Sequence, residues 1–244
     1  MPIINALYKI LHTYLVIFSI MKFIVKVKRG QRYNMILGIG ASGRKDMITS
    51  KTVKAILEAS GQEYEFISLA GKKINGCIGC TQCDSDNTCK VKDDWNEIGE
   101  KMKKSDAIVF GAPDYYGTIN ALGHACLERT FSFRHRGGFS LEGKYGISVS
   151  ASYTEKGNEA VHSIINKFML SNRMIVIDSV SAEGYSQCYS CNYGHMCRIG
   201  NVVKSNGFLD KIEKKHCPSC FEEQKRTNSD AFRVGTILGE TLKK

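Results

Sequence analysis

The chain has 244 residues, 43% of them hydrophobic, and only three prolines. That composition supports one packed domain with an elaboration or a small second unit, and it excludes a disordered chain. The net charge of +10 is uneven: residues 1–34 hold six basic residues and no acid, leaving an ordinary surface for the rest. No basic run carries the interleaved aromatics of a nucleic-acid module, so nucleic acid is not an expected partner.

Residues 10–25 form a mostly apolar run interrupted by His12, Thr13 and Lys22. The run is short for a membrane span and lacks a small-residue cleavage site, so a membrane anchor or signal peptide is disfavoured. It reads otherwise as an added helix, or as residues upstream of a true start at Met21 or Met35. The extension 1–34 is set aside from the fold argument.

From Met35 the chain alternates strand and helix signals, the pattern of a parallel sheet covered on both faces. Met35–Ile39 reads as a strand ending in the glycines 38, 40 and 43. Thr49–Ala59 reads as a helix capped by Thr49 or Ser50 and stopped by Gly61. Glu63–Leu69 is a second strand, Trp95–Lys104 a charged helix, and Ala107–Ala112 a buried strand ending at Pro113. Asn120–Phe131 is a helix, Lys144–Ser150 a strand, Gly157–Asn172 an amphipathic helix and Met174–Val180 a fifth strand. The periodicity then breaks over residues 181–225, and a helix over Ser229–Leu242 closes the chain. The expectation is an α/β, doubly wound, five-stranded parallel sheet over 35–180. A cysteine-rich insertion over 181–225 precedes the last helix, within 226–244.

Nine of the ten cysteines fall in two groups. Cys77, Cys80, Cys83 and Cys89 form a C-x2-C-x2-C-x5-C run. Three thiolates three residues apart can curl around one cubic iron–sulfur cluster, and the fourth completes it; bacterial ferredoxins use a related run. The alternatives left open are a zinc site, a redox dithiol and unmetallated cysteines. Gly79 would let backbone amides approach the cluster sulfurs. Clustered C-x2-C spacing in a larger α/β chain points to metal rather than to a disulfide framework, hence to a reducing, oxygen-poor compartment.

Two loops suit a flat, phosphorylated ligand. Ser42, Arg44 and Thr49 lie in the glycine-rich turn from the first strand to the first helix, where amides, hydroxyls and an Arg can hold a phosphate. Pro113, Tyr115, Tyr116 and Gly117 follow the third strand at the same sheet edge, where aromatics and free amides can lie against a ring. Each loop alone is equally a turn without a ligand.

Together the 38–53 loop, the cysteine run, the Lys92–Asp93–Asp94 segment and the 107–117 strand and loop resemble the iron–sulfur flavoproteins. These belong to the NADPH-dependent FMN reductase group with a flavodoxin-like fold. The resemblance spans residues 35–180. It implies FMN, a 4Fe-4S cluster, and a homo-oligomer, dimer or tetramer, in which a cluster faces a neighbour's flavin. It also implies that Ser42, Arg44 and Thr49 hold the FMN phosphate and that Pro113, Tyr115, Tyr116 and Gly117 flank the isoalloxazine. Ser150, Ala151 and Ser152 would form the third loop. The chain departs from the family pattern in Gly43 for a Pro, Ile48 for an Asn, and Asp114 at a usually apolar position.

The second group, Cys188, Cys191, Cys197, Cys217 and Cys220, contains two C-x2-C pairs with His195 and His216 nearby. It suits a second iron–sulfur cluster or zinc, or else a disulfide-linked or unmetallated lid. Cys126 reads as a core thiol, and His124, His135 and His162 are given no role. The function expected is a cytoplasmic FMN- and iron–sulfur-dependent oxidoreductase passing electrons between FMN and a one-electron carrier such as ferredoxin. The alternatives are an NAD(P)H-dependent FMN or quinone reductase without a cluster, a non-enzymatic electron carrier, and a zinc-stabilised binding module.

Overall fold

The computed structural model describes residues 35–244; the extension 1–34 and its competing readings lie outside the described residues. The elements run β1 (Met35–Gly40), α1 (Ile48–Ala59), β2 (Glu63–Ser68), α2 (Trp95–Lys104), β3 (Ala107–Tyr115), β4 (Thr118–Ile119) and α3 (Ala121–Glu128). They continue with β5 (Arg134–His135), β6 (Gly138–Phe139), β7 (Tyr145–Ser152), α4 (Glu155–Ser171), β8 (Ile175–Glu183), α5 (Asn201–Asn206) and α6 (Lys225–Lys243).

Five strands pair in parallel in the order β2-β1-β3-β7-β8, and β4 adds an antiparallel hairpin to β3. This is the flavodoxin-like doubly wound order, whose switch point falls between β1 and β3. Alternate strand residues feed two cores. Leu37, Ile39, Ile108 and Phe110 pack beneath α2, α3 and α4, where Trp95, Met102, Leu127 and Ile165 meet them. Ile36, Val109, Ile147 and Val149 face α1 and α6, against Val53, Ile56, Val234 and Leu238.

The helix α6 lies close on the end of α1. A Cβ at Gly239 would stand 2.0 Å from the Ser60 carbonyl oxygen, and one at Gly235 2.5 Å from that of Ile56. Only glycines permit that approach.

The structure departs locally from the sequence expectations. Neither Thr49 nor Ser50 caps α1; Met47 holds the N-cap position and makes no side-chain cap bond. The helix expected over Asn120–Phe131 stops at Glu128 and tightens into a 3-10 turn over Arg129–Phe133. The third, fourth and fifth strands run further toward their carboxyl ends than periodicity suggested, and α6 starts at Lys225. Among the described residues no helix is long and apolar enough to cross a membrane.

Candidate functional site

A cleft of about 800 Å³ opens at the carboxyl ends of β1, β3 and β7. Eight of the ten residues expected at a flavin site line it: Ser42, Arg44, Thr49, Pro113, Tyr115, Tyr116, Ala151 and Ser152. Ser150 is fully buried in β7 instead, and Gly117 turns its amide away, to the Asp114 carboxylate at 2.8 Å.

The loop before α1 is built for an anion. No side chain caps α1, and no acid lies in its first turn. The first amides of this twelve-residue helix therefore keep their positive end free. Ser42 is buried at the loop and accepts the Arg44 amide at 3.1 Å, while the Ser50 hydroxyl is buried without a protein partner. Asn120 fixes the loop by donating to the Ala41 carbonyl at 2.7 Å. The free first amides of α1, with Ser42, Arg44 and Thr49 also on the cleft wall, fit a phosphate; Ser50 does not line the cleft.

The second wall is a tight hairpin. Tyr116 and Gly117 both have positive φ, 59° and 76°, which closes β3 onto β4 in two residues. A tyrosine in that conformation is strained, and this one leaves its side chain wholly exposed on the cleft wall. Asp114, the unusual acid, braces the turn. One carboxylate oxygen accepts Gly117 N–H, and the other accepts the Ser152 hydroxyl at 2.7 Å, tying hairpin to β7. The third wall comes from the insertion: Tyr185, Gln187, Cys188, Cys197 and Ile199 complete the cleft.

A second cavity gathers all four cysteines of the first group, Cys77, Cys80, Cys83 and Cys89. They sit in a loop with no regular structure, shaped by left-handed Gly79 and Thr81 at φ 67° and 56°. Buried side chains hold this loop. The Arg129 guanidinium is enclosed and pairs with Asp93 at 2.8 Å. It also donates to the carbonyls of Asn75 and Val91, and from Nε to Cys89 Sγ at 3.2 Å. Burial works against the Asp93 carboxylate, yet the Arg129 bond and the amides of Asn75 and Trp95 hold its pKa below the ordinary value. His135 Nε2 lies 3.2 Å from Cys83 Sγ, and its backbone amide is held by Asn87. Burial first, and then the three neighbouring thiols, push the Cys83 thiol up, with a backbone hydrogen bond opposing.

Among the described residues, no three His, Cys, Asp or Glu side chains converge to hold a single metal ion. A multi-iron cluster is larger than one ion and spreads its sulfur ligands, so a cavity lined by four thiols fits it better than zinc. Of the second group, Cys188 and Cys197 line the flavin-sized cleft. Cys191 and Cys217 direct their Sγ atoms at the carbonyls of Cys188 and Glu213. Zinc or a second cluster on this group, the expectation from its spacing, finds no single cavity that gathers its five thiols among the described residues.

Arg129 and His135 are the residues here that the sequence does not single out: both act on the cysteine loop from outside it. Cys126 is the expected core thiol, fully buried and pushed up to about 12 by burial. The two cavities have no lining residue in common.

A cleft of this form at the switch point of such a sheet is that of a flavin-dependent oxidoreductase using FMN. The family model described as NADPH-dependent FMN reductase matches residues 35–186, and the chain belongs to that family, with its iron–sulfur flavoproteins. The chain is 37% identical over 155 residues to an iron–sulfur flavoprotein of Methanocaldococcus jannaschii, covering 62% of this chain and 79% of that one. It is 26% identical over 198 residues to one of Clostridioides difficile, covering 78% and 81%. The fold matches an NADH:FMN oxidoreductase structure with TM-score 0.53 at 11% identity, over 85% of this chain and 89% of that one.

Proposed function

We propose that the protein passes electrons between a one-electron carrier such as ferredoxin and FMN, through a 4Fe-4S cluster on Cys77, Cys80, Cys83 and Cys89. The observation that carries this reading is that all four cysteines line one cavity beside the buried Arg129. FMN exchanges electrons singly or in pairs and the cluster one at a time, so the two together join one-electron partners to two-electron substrates. The chain's own part is placement. Ser42, Arg44, Thr49 and the first amides of α1 would hold the phosphate. Tyr115 and Tyr116 would flank the ring, and Ala151 and Ser152 would close the third side. Arg129 would fix the loop carrying Cys89 and place positive charge at its sulfur, favouring the reduced state of the group it binds.

Because the two cavities share no lining residue, we read the working unit as a dimer or tetramer in which one subunit's cluster meets a neighbour's flavin. A reducing cytoplasm suits such thiols. The family's name favours NAD(P)H as an alternative donor, and anaerobic oxidation of NAD(P)H by the purified protein separates the two sources.

The test is anaerobic purification with iron, labile sulfide, zinc and FMN analysis. About four irons and one FMN per chain are expected. Flavin without iron in an oxygen-free preparation would overturn the cluster. Cys83→Ala should remove the cluster's visible and EPR signals and leave FMN bound.

A further inference from the structure

The stretch between Cys83 and Cys89 contains Asn87, which is buried and left-handed at φ 55°. Its amide donates to the Cys83 carbonyl at 3.0 Å. Its side chain grips the hairpin of β5 and β6: Nδ2 donates to the Gly138 carbonyl at 2.8 Å, and Oδ1 accepts the His135 amide at 3.0 Å. Gly137, in the turn of that hairpin, leaves room for the grip, since a Cβ there would stand 3.2 Å from Asn87 Nδ2. One side chain thus fixes the hairpin against the cysteine loop.

Of the hairpin's residues, His135 lines the cysteine cavity. Phe131 meets its ring edge-on, with centroids 5.4 Å apart and planes at 80°, which sets the plane of the ring. Nε2 then lies 3.2 Å from the sulfur of Cys83, the buried member of the four. A cysteine bound to iron is a thiolate and can only accept a hydrogen bond. Nε2 must carry the proton of that contact.

We propose that His135 is a positioning residue of the cluster site, whose Nε2–H donates to the Cys83 sulfur and raises the cluster's midpoint potential.

This rests on the reading that Cys77, Cys80, Cys83 and Cys89 hold a 4Fe-4S cluster. A hydrogen bond to a ligand sulfur draws electron density from it and stabilises the more negative, reduced state more than the oxidised one. Burial of Cys83 strengthens the effect, because little water screens it. The equilibrium concerned is one electron: the reduced carrier gives it up, the cluster accepts it, and His135 keeps its proton throughout. Arg129 acts on Cys89 with a full charge, whereas His135 acts on Cys83 through a bond that any donor of the same reach can replace.

The experiment uses the full chain, purified anaerobically with its cluster and FMN, as parent, His135→Gln and His135→Leu. The Gln amide can set a donor where Nε2 stands, and Leu fills the space without one. Iron and sulfide content should be the same in all three. In redox titrations followed by EPR, His135→Leu should lower the cluster midpoint by about 59 mV, a tenfold change in a one-electron equilibrium. His135→Gln should recover most of that shift. With 15N-histidine, the reduced cluster should show a weak nitrogen coupling that His135→Leu abolishes. A midpoint unmoved by His135→Leu, or lowered equally by both variants, would overturn the proposal. So would iron lost from both variants, which marks a structural role, or a coupling strong enough for direct iron ligation. A parent chain without iron overturns the cluster reading and this inference together, whereas four irons with an unmoved midpoint overturn this inference alone.

Discussion

Arg129 directs its guanidinium at one carboxylate, two carbonyls and one sulfur, with no exposure to water. Arg129→Met leaves Asp93 charged and buried with two backbone amides but no cation, which costs about 3 kcal/mol of stability. Arg129→Lys recovers little of that, because an ammonium cannot reach four acceptors lying in one plane. Urea midpoints of both variants, with the metal-free chain as reference, check this. A single arginine at the end of an apolar helical run has no signature in sequence, since its partners at 75, 89, 91 and 93 are supplied by a loop without periodicity. The cysteines themselves were legible because their chemistry resides in the spacing. His162 is the converse case. It sits between the hydroxyls of Ser148 and Ser181 at 2.9 and 3.0 Å, and burial lowers its pKa to about 4 although Asp178 pulls the other way. The unfolded chain therefore binds a proton between about pH 6.5 and 4 that the folded one refuses. Stability contributed there is complete above pH 6.5 and is lost as pH falls toward 4, by an amount of the order of 3 kcal/mol. Denaturation curves of His162→Asn should be flatter than those of the parent over that interval.

At the level of elements, the crossing of α6 on α1 depends on two absent side chains. Gly239→Ala would press a methyl into the Ser60 carbonyl and force the helices apart, at a cost of about 1–3 kcal/mol. Its thermal midpoint should fall while FMN binding persists, because the contact lies at the end of α1 away from the phosphate loop. Strand and helix order was readable from alternation alone, since each element buries one face on a sheet covered from both sides. The element ends were not. The strand β3 runs on through Asp114 and Tyr115 because a two-residue hairpin gives them a partner strand, a long-range reward that local pattern does not carry. The missing cap of α1 likewise became meaningful only when its free amides were seen facing a cleft.

At the scale of the whole molecule, the insertion is a long excursion whose ends are pinned together. The Glu183 amide donates to the Gln224 side-chain oxygen at 3.0 Å, and the Gln224 side-chain nitrogen donates to the Glu183 carbonyl at 2.9 Å. A further tie joins Lys51 on α1 to Glu222 at 2.6 Å, though such an exposed pair adds little stability. Replacing residues 185–223 with a short Gly-Ser linker should therefore leave a domain that unfolds in one cooperative step, its far-ultraviolet signal losing only the contribution of the short helix α5. The same deletion removes one wall of the cleft, so FMN titrated into it should bind at least tenfold more weakly. The break in pattern over this stretch is legible in sequence but its place on the cleft wall is not, because nothing in its own residues encodes what it lies against.

The pincer of Glu183 and Gln224 also bears on descent. A segment that leaves and re-enters the sheet at one point can be gained, lost or exchanged without re-routing any strand. Lineages sharing this sheet and its four-cysteine loop are then free to differ in the cleft wall that the segment supplies, while the walls carried by the sheet stay constant.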